Sequence, residues 1–418
     1  MTHVGGSGDL RRVVVVGASL AGLRACETLR QEGFTGTITL IGAEAHQPYD
    51  RPPLSKALLA GEFEPERIAL RRADAITGLD LEMLLGRRAV SLDTAQRSLG
   101  LADGSAVTYD ALVIATGARP RRLPDQPDIE GVVTLRTLDD ALHLRQHLVT
   151  PGTRLVIVGA GFIGLEVAST ALDLGCSVTV LEAAPAPLLR GLGDQMGPAV
   201  ADIARRRGVD LRCATPISAI EHDGERVRGV CLADDSLVDA DVVLVGVGAT
   251  PNIEWLDGSG LTIADGIVCD ASLHTGADDV FAAGDCVRWP NGVFRGHDDE
   301  MMRIEHWTNA SEQGAVAARN LLASARGEPT VPFESVPFFW SEQFGRRIQF
   351  VGRAHGGDDV AVVAGEPTGA VTVLYGWQGR LRGALGVDMP KLVMRFRQMV
   401  AERATWDDAL ARAAELTS

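Results

Sequence analysis

Apolar residues along this chain come in short blocks set off by glycine turns. Val13 to Val16 are four consecutive β-branched residues, and Gly17-Ala-Ser-Leu-Ala-Gly22 follows at once. Such a run, with no polar alternation, predicts a strand buried on both faces of a parallel sheet. A helix is expected over Leu20 to Glu32, and the alternation of Thr37 to Ile41 predicts a second strand. The same order of strand, glycine turn and helix returns later. Val156 to Val158 lead into Gly159-Ala-Gly161-Phe-Ile-Gly164, with a helix expected over Phe162 to Leu174 and a strand over Ser177 to Leu181.

Further apolar strands are expected at Ala111 to Ala115, at Asp241 to Gly248 and within Thr275 to Cys286. Arg136-Thr-Leu-Asp-Asp140 opens a helix with acidic residues in its first turn. A long helix begins near Arg303 and ends near Leu322, and past Val331 the texture changes. Short strands are expected at Ile348 to Gly352, Val360 to Val363 and Ala370 to Tyr375, then a helical run from Pro390 to Leu416. The fold class is therefore α/β, with two Rossmann-like dinucleotide-binding domains and a C-terminal α+β domain. The expected boundaries are 1–122 with 249–328 for the first, 123–248 for the second and 329–418 for the third. Pro120, Pro124 and Pro127 mark a linker.

The two glycine turns carry the candidate chemistry. A strand running through a glycine turn into a helix brings backbone N–H groups and the positive end of the helix dipole toward a pyrophosphate. In the first turn Gly17 permits the bend, Gly22 permits close helix–strand packing, and Leu20 and Ala21 open the helix. Ser19 takes the middle slot, so its side chain must point away from the phosphate or bond it. The second turn has all three glycines, Gly159, Gly161 and Gly164, with Phe162 and Ile163 opening the helix.

Glu44 and Glu182 each lie just past the second strand of their unit, where a carboxylate accepts from a ribose diol. Glu182 suits a free 2′-hydroxyl and repels a 2′-phosphate, which favours NADH over NADPH; Arg190, eight residues on, serves either cofactor. Thr116-Gly117 and Gly248 follow apolar strands and set backbone near a dinucleotide. Asp285, at the end of another strand, is placed to accept from a ribityl chain. Lys56 projects from the stiff segment Arg51-Pro-Pro-Leu-Ser-Lys56, and Glu166 lies in the first turns of the second unit's helix.

Composition narrows the class. The chain has 418 residues and a net charge of −15, which argues against nucleic acid or an anionic membrane as a general partner. No apolar run approaches the roughly 20 residues of a membrane span, and Met1 to Arg12 has no apolar segment of signal-peptide length. A cytoplasmic protein is expected. The six cysteines, Cys26, Cys176, Cys213, Cys231, Cys269 and Cys286, form no close pair, which argues against a locally ligated metal cluster or a dithiol close in sequence. No metal site is expected.

With Arg51-Pro-Pro-Leu-Ser-Lys56, both glycine turns, Ala115-Thr-Gly-Ala-Arg-Pro120, Ala282-Ala-Gly-Asp-Cys286 and Pro337-Phe-Phe-Trp-Ser-Glu342 in order, the chain resembles the FAD-dependent, NADH-using ferredoxin reductases. These include putidaredoxin reductase and the reductase components of ring-hydroxylating dioxygenases. The resemblance implies that the first glycine turn and Glu44 hold the FAD pyrophosphate and adenosine ribose, with the Ala89 backbone at the adenine. Arg51, Lys56 and Arg136 would also contact FAD, Asp285 its ribityl chain, and Trp307 would lie by the isoalloxazine. Lys56 would pair with Glu166 beside flavin N5.

The implied reaction passes electrons from NADH through FAD to a small iron–sulfur ferredoxin, [2Fe-2S] or other, that serves a cytochrome P450 or a Rieske-type oxygenase. A monomer or weak dimer is expected. Arg71 with Arg72, Arg346 with Arg347, and Lys391 with Arg395 and Arg397 are candidate docking cations. Two alternatives stay open: an NADH-sensing flavoprotein resembling apoptosis-inducing factor, and an NADH oxidase or peroxidase-like flavoenzyme. The latter requires a reactive thiol at the flavin.

Overall fold

The computed structural model describes residues 10–296 and 301–417, and the side chains of all of these except Arg190 and Asp194. The described chain divides into two compact units. One takes the residues up to Asp50, Ala69–Arg119 and Thr250–Ser335; the other takes Arg51–Ile68, Pro120–Ala249 and everything from Val336 onward.

The first unit is built on a parallel five-stranded sheet. Its order is Val280–Ala282, Ala111–Ile114, Arg12–Val16, Thr37–Ile41 and Leu81–Leu84. Val13 to Val15 are fully buried, as a strand covered on both faces requires. The helix Leu20–Gln31 lies against the long helix Trp307–Ala325, where Gly314 lets the backbones approach: a Cβ there would sit 2.3 Å from the Ala21 carbonyl oxygen. Because the first strand is central, the chain leaves its carboxyl end in two directions. That switch point is where an open α/β sheet collects ligands.

The second unit repeats the plan. Its parallel sheet runs Asp210–Arg212, Ser177–Leu181, Arg154–Val158, Val242–Val245 and Val132–Val133. A three-stranded meander, Ile217–His222, Val227–Leu232 and Leu237–Asp239, shares a core with it through Val230, Leu232, Val243 and Val245. The C-terminal part is an antiparallel five-stranded sheet in the order Phe338–Gln343, Arg346–Gly352, Arg380–Val387, Val371–Trp377 and Asp359–Gly365. The helix Pro390–Ala401 buries Val393, Phe396 and Val400 against it.

Three departures from the sequence pattern have a plain physical cause. The helical run expected over Pro390 to Leu416 is two helices, Pro390–Ala401 and Trp406–Thr417; Arg403 adopts a left-handed φ of 56° and turns the chain between them. The strands Phe338–Gln343 and Arg380–Val387 escape the pattern because almost every residue in them is at least half-buried and no alternation shows. The helix Leu189–Arg206 escapes it too. Three glycines and a proline interrupt it, and Gly193 (φ 72°) kinks it.

Candidate active site

In the first unit the residues singled out from sequence come off the carboxyl ends of neighbouring strands. Gly17 to Gly22 follow Arg12–Val16, Glu44 follows Thr37–Ile41, Thr116 and Gly117 follow Ala111–Ile114, and Asp285 follows Val280–Ala282. Two glycines are obligatory here. Gly17 has φ 119°, and a Cβ on it would fall 2.0 Å from the Ala115 carbonyl oxygen; a Cβ on Gly22 would fall 1.9 Å from the Gly17 carbonyl oxygen. Ser19 is the N-cap of Leu20–Gln31, but its side chain makes no capping hydrogen bond. The first-turn amides of the helix are therefore not claimed by that hydroxyl, which suits an anion held at a helix N-terminus.

Around this turn, Thr116 Oγ1 donates to the Asn252 carbonyl at 2.8 Å and Asn252 Nδ2 donates to the Thr116 carbonyl at 2.9 Å. Fully buried Gln313 accepts from the Gly284 amide at 2.8 Å, one residue before Asp285. The Tyr49 hydroxyl donates to Glu44. Trp307 opens its helix, is 37% exposed, and donates from Nε1 to Asp50 Oδ1 at 2.7 Å. Ala89 begins the strand Ala89–Asp93. Asn252, Gln313 and Asp50 had no sequence signal, since single amides and acids outside a motif look like any polar residue.

In the second unit Gly159 has φ 102°, and a Cβ on it would meet the Gly246 carbonyl oxygen at 2.5 Å. A Cβ on Gly164 would likewise fall 2.6 Å from the Gly159 carbonyl oxygen. Gly161 differs: it is the N-cap of Phe162–Asp173, and a Cβ on it would meet nothing within 4 Å. Open space over an uncapped helix end is the form of a phosphate cradle. Ile163, second in that helix, is 48% exposed. Gly248 has φ 110° and accepts from the Arg121 amide at 2.8 Å.

Glu182 holds this turn together. Its Oε2 accepts from the Ala160 amide at 2.7 Å and its Oε1 from the Ala184 amide at 2.8 Å. Each carboxylate oxygen has a second lone pair, so a ribose hydroxyl can still donate to it. The side chain of Arg190 lies outside the described residues.

The segment after Asp50 belongs to the second unit. Pro52–Ser55 forms a 3-10 turn with prolines at its start, and Lys56 ends it. Lys56 Nζ lies 2.8 Å from Glu166 Oε2. Glu166 is only 6% exposed, and two serines complete its shell: Ser55 Oγ donates to Oε2 at 2.5 Å and Ser341 Oγ to Oε1 at 2.7 Å. Thr170 ties the Ser55 carbonyl to the same helix at 2.8 Å. Arg51 donates to the Arg136 carbonyl, and the Arg136 amide donates to Asp140 Oδ2 at 2.9 Å.

The chain's 40 basic residues include only two lysines, Lys56 and Lys391. A compact ammonium stands at Glu166 in a protein whose other side-chain cations, Lys391 apart, are arginines, and arginine's broad fork is no substitute for a point charge.

The thiols are arranged quite differently. All six cysteines are free, and Cys26, Cys176, Cys269 and Cys286 are buried. Burial pushes the Cys26 thiol up to about 12 and raises Cys269 and Cys286 as well. Thiols held protonated in this way do not supply a nucleophilic thiolate at neutral pH.

The family model described as pyridine nucleotide-disulphide oxidoreductase matches residues 11–314, and the one described as reductase C-terminal matches 338–416. Rhodocoxin reductase of Rhodococcus erythropolis is 37% identical over 390 residues, 93% of this chain and 89% of that relative. The ferredoxin–NAD(+) reductase component of the biphenyl dioxygenase system of Paraburkholderia xenovorans is 39% identical over 363 residues, 87% and 86% of the two chains. A crystal structure of the covalent putidaredoxin reductase–putidaredoxin complex superposes with a TM-score of 0.89 at 32% identity, covering 97% of this chain and 99% of that one.

Fold and site thus define a two-dinucleotide oxidoreductase. The chain belongs to the pyridine nucleotide-disulphide oxidoreductases and, within them, to the FAD-dependent NADH:ferredoxin reductase family.

Proposed function

We propose that this protein oxidises NADH and passes the electrons through FAD to a small iron–sulfur ferredoxin that serves a cytochrome P450 or a Rieske-type oxygenase. The observation that carries the reading is the pair of uncapped glycine turns in one chain whose buried thiols are held protonated. FAD, when bound, takes two electrons together as hydride and releases them singly, which nicotinamide does not readily do.

The residues divide the work as follows. Gly17, Ser19, Leu20, Ala21 and Gly22 present backbone N–H groups to the FAD pyrophosphate, and Glu44 takes the adenosine ribose. Thr116, Gly117, Asp285, Ala89, Arg51, Arg136 and Trp307 complete the FAD contacts. Gly159, Gly161, Phe162, Ile163, Gly164 and Gly248 form the NADH cradle, with Glu182 and Arg190 at its ribose. Lys56 places a positive charge where the flavin ring gains negative charge with hydride, and Glu166 fixes that ammonium. Unpaired, a lysine on a 3-10 turn would be a mobile surface charge.

For docking, Lys391 and Arg395 on the helix Pro390–Ala401 are the favoured cations. They are exposed one helical turn apart, flanking Met394, which is 42% exposed. Arg71 instead pairs with buried Glu27 at 2.5 Å, Arg346 with Asp388 at 2.7 Å, and Arg347 lies 3.8 Å from Glu342. Free cysteines fit a reducing cytoplasm, and no helix among the described residues is long and apolar enough to cross a membrane.

The test is to load the purified protein with FAD, titrate it anaerobically with NADH and with NADPH, and assay ferredoxin-dependent cytochrome c reduction. Bleaching by NADH together with ferredoxin-dependent turnover supports the reading. Bleaching with no transfer to any ferredoxin would favour an NADH sensor instead.

A further inference from the structure

Glu166 is a buried carboxylate whose hydrogen-bond shell is supplied by neighbours of two kinds. Lys56 supplies charge, while Ser55 and Ser341 supply directed hydroxyls. Ser341 is 1% exposed and sits on the strand Phe338–Gln343 of the C-terminal sheet, far along the chain from the glycine turn that begins Glu166's helix. Gln343 Nε2 approaches Ser341 Oγ at 3.3 Å and Lys56 Nζ approaches Ser55 Oγ at 3.4 Å. Each serine oxygen therefore receives a donor, and its single proton goes to Glu166. The two hydroxyls grip opposite oxygens, which fixes the carboxylate plane and turns Oε2 toward Lys56. The other charged side chain nearby on that strand, Glu342, is exposed and alternates to the opposite face.

We propose that Ser341, assisted by Ser55, is a positioning residue for hydride transfer: it locks the Glu166 carboxylate so that Lys56 is held in one place. The inference rests on the reading of Lys56 as the cation at the flavin. A carboxylate that loses the Ser341 proton keeps Oε1 buried without its donor, and the group turns or draws Lys56 to a new position. The C-terminal domain thereby contributes a side chain to the working site.

The scarcity of lysine makes the test specific. In a Lys391→Arg background Lys56 is the one remaining side-chain amine, and its modification by a small acylating reagent is read by peptide mass spectrometry on the FAD-loaded protein. Lys56 should acylate slowly, Ser341→Ala should speed this about tenfold, and Ser341→Thr should restore the slow rate by returning the hydroxyl. Ser55→Ala should act in the same direction, as a second variant should Ser341→Ala fold poorly. In stopped flow, Ser341→Ala should slow flavin reduction about tenfold with little change in KM for NADH, and should add nothing in a Glu166→Gln background.

Acylation as slow in both serine variants as in their parent, with Glu166→Ala fast, would overturn the proposal. Fast acylation in Ser341→Ala, together with unchanged flavin reduction in Lys56→Ala, would uphold the positioning role and reject the flavin role of Lys56.

Discussion

The Lys56 ammonium lies 2.8 Å from the Glu166 carboxylate, and Glu166 is 6% exposed. A carboxylate so buried persists only with partners for its charge, and removing one partner leaves the other stranded. Lys56→Ala and Glu166→Gln are therefore both expected to slow flavin reduction by NADH, by about 10- to 100-fold. Stopped-flow absorbance checks this, and FAD content should be retained in both variants.

Glu182 bonds the Ala160 and Ala184 amides. Glu182→Ala removes an anchor of the glycine turn and, on the proposed reading, the acceptor for the 2′-hydroxyl of NADH. KM for NADH should rise about tenfold and the preference over NADPH should narrow. Steady-state kinetics with a small dye as acceptor measure both.

The buried thiols give a chemical prediction. A thiol whose pKa is raised stays protonated, and unreactive, through the neutral range. An aromatic disulfide reagent at neutral pH should modify half-buried Cys213 and Cys231 in the folded protein, and reach Cys26, Cys269 and Cys286 only on unfolding. Cys286→Ser should change flavin reduction by less than about threefold.

Asp241 gives a pH dependence whose sign is fixed. Bonds from the Arg154 guanidinium at 2.7 and 3.2 Å, and from the Arg154 amide at 2.9 Å, hold its carboxyl below the usual range. A pKa lower in the folded state gives stability that is present above the unfolded value and lost as pH falls through the folded one. Both side chains are about half exposed, so Asp241→Ala should cost only about 1 kcal/mol near neutrality. Thermal denaturation should show the gap between wild type and variant closing as pH falls below the usual carboxylate range and on through the lowered folded value, beyond which both states bind the proton.

Docking through Lys391 and Arg395 predicts a salt effect confined to the protein acceptor. Raising ionic strength from about 0.01 to 0.15 M shortens the Debye length from roughly 30 to 8 Å. Ferredoxin reduction should slow severalfold while NADH oxidation by a small dye holds steady. An equal response of the two would remove electrostatic docking.

Much of the fold was legible in sequence because its signals are local. Val13 to Val16 and Val156 to Val158 are long β-branched runs, and Gly17, Gly22, Gly159 and Gly164 are glycines that the backbone itself enforces. Lys56 and Glu166 were paired through resemblance, and the structure brings them together. What stayed hidden is what the chain assembles over long separations. Ser341 reaches Glu166 across 175 positions, and nothing in Phe-Phe-Trp-Ser-Glu separates its hydroxyl from an ordinary strand serine. Asn252 and Gln313 brace the first site in the same way. The kinked helix Leu189–Arg206 was lost because Gly193 and Pro198 read as loop residues.

In the proposed reaction electrons enter from NADH onto FAD without a sulfur relay. The most direct measurement is an anaerobic NADH titration of the FAD-loaded protein, followed in the visible, before and after alkylation of its accessible thiols. Full bleaching is expected at about one NADH per FAD, unchanged by alkylation. A protein that takes up no FAD, or whose reduction by NADH is abolished when its thiols are blocked, would contradict it.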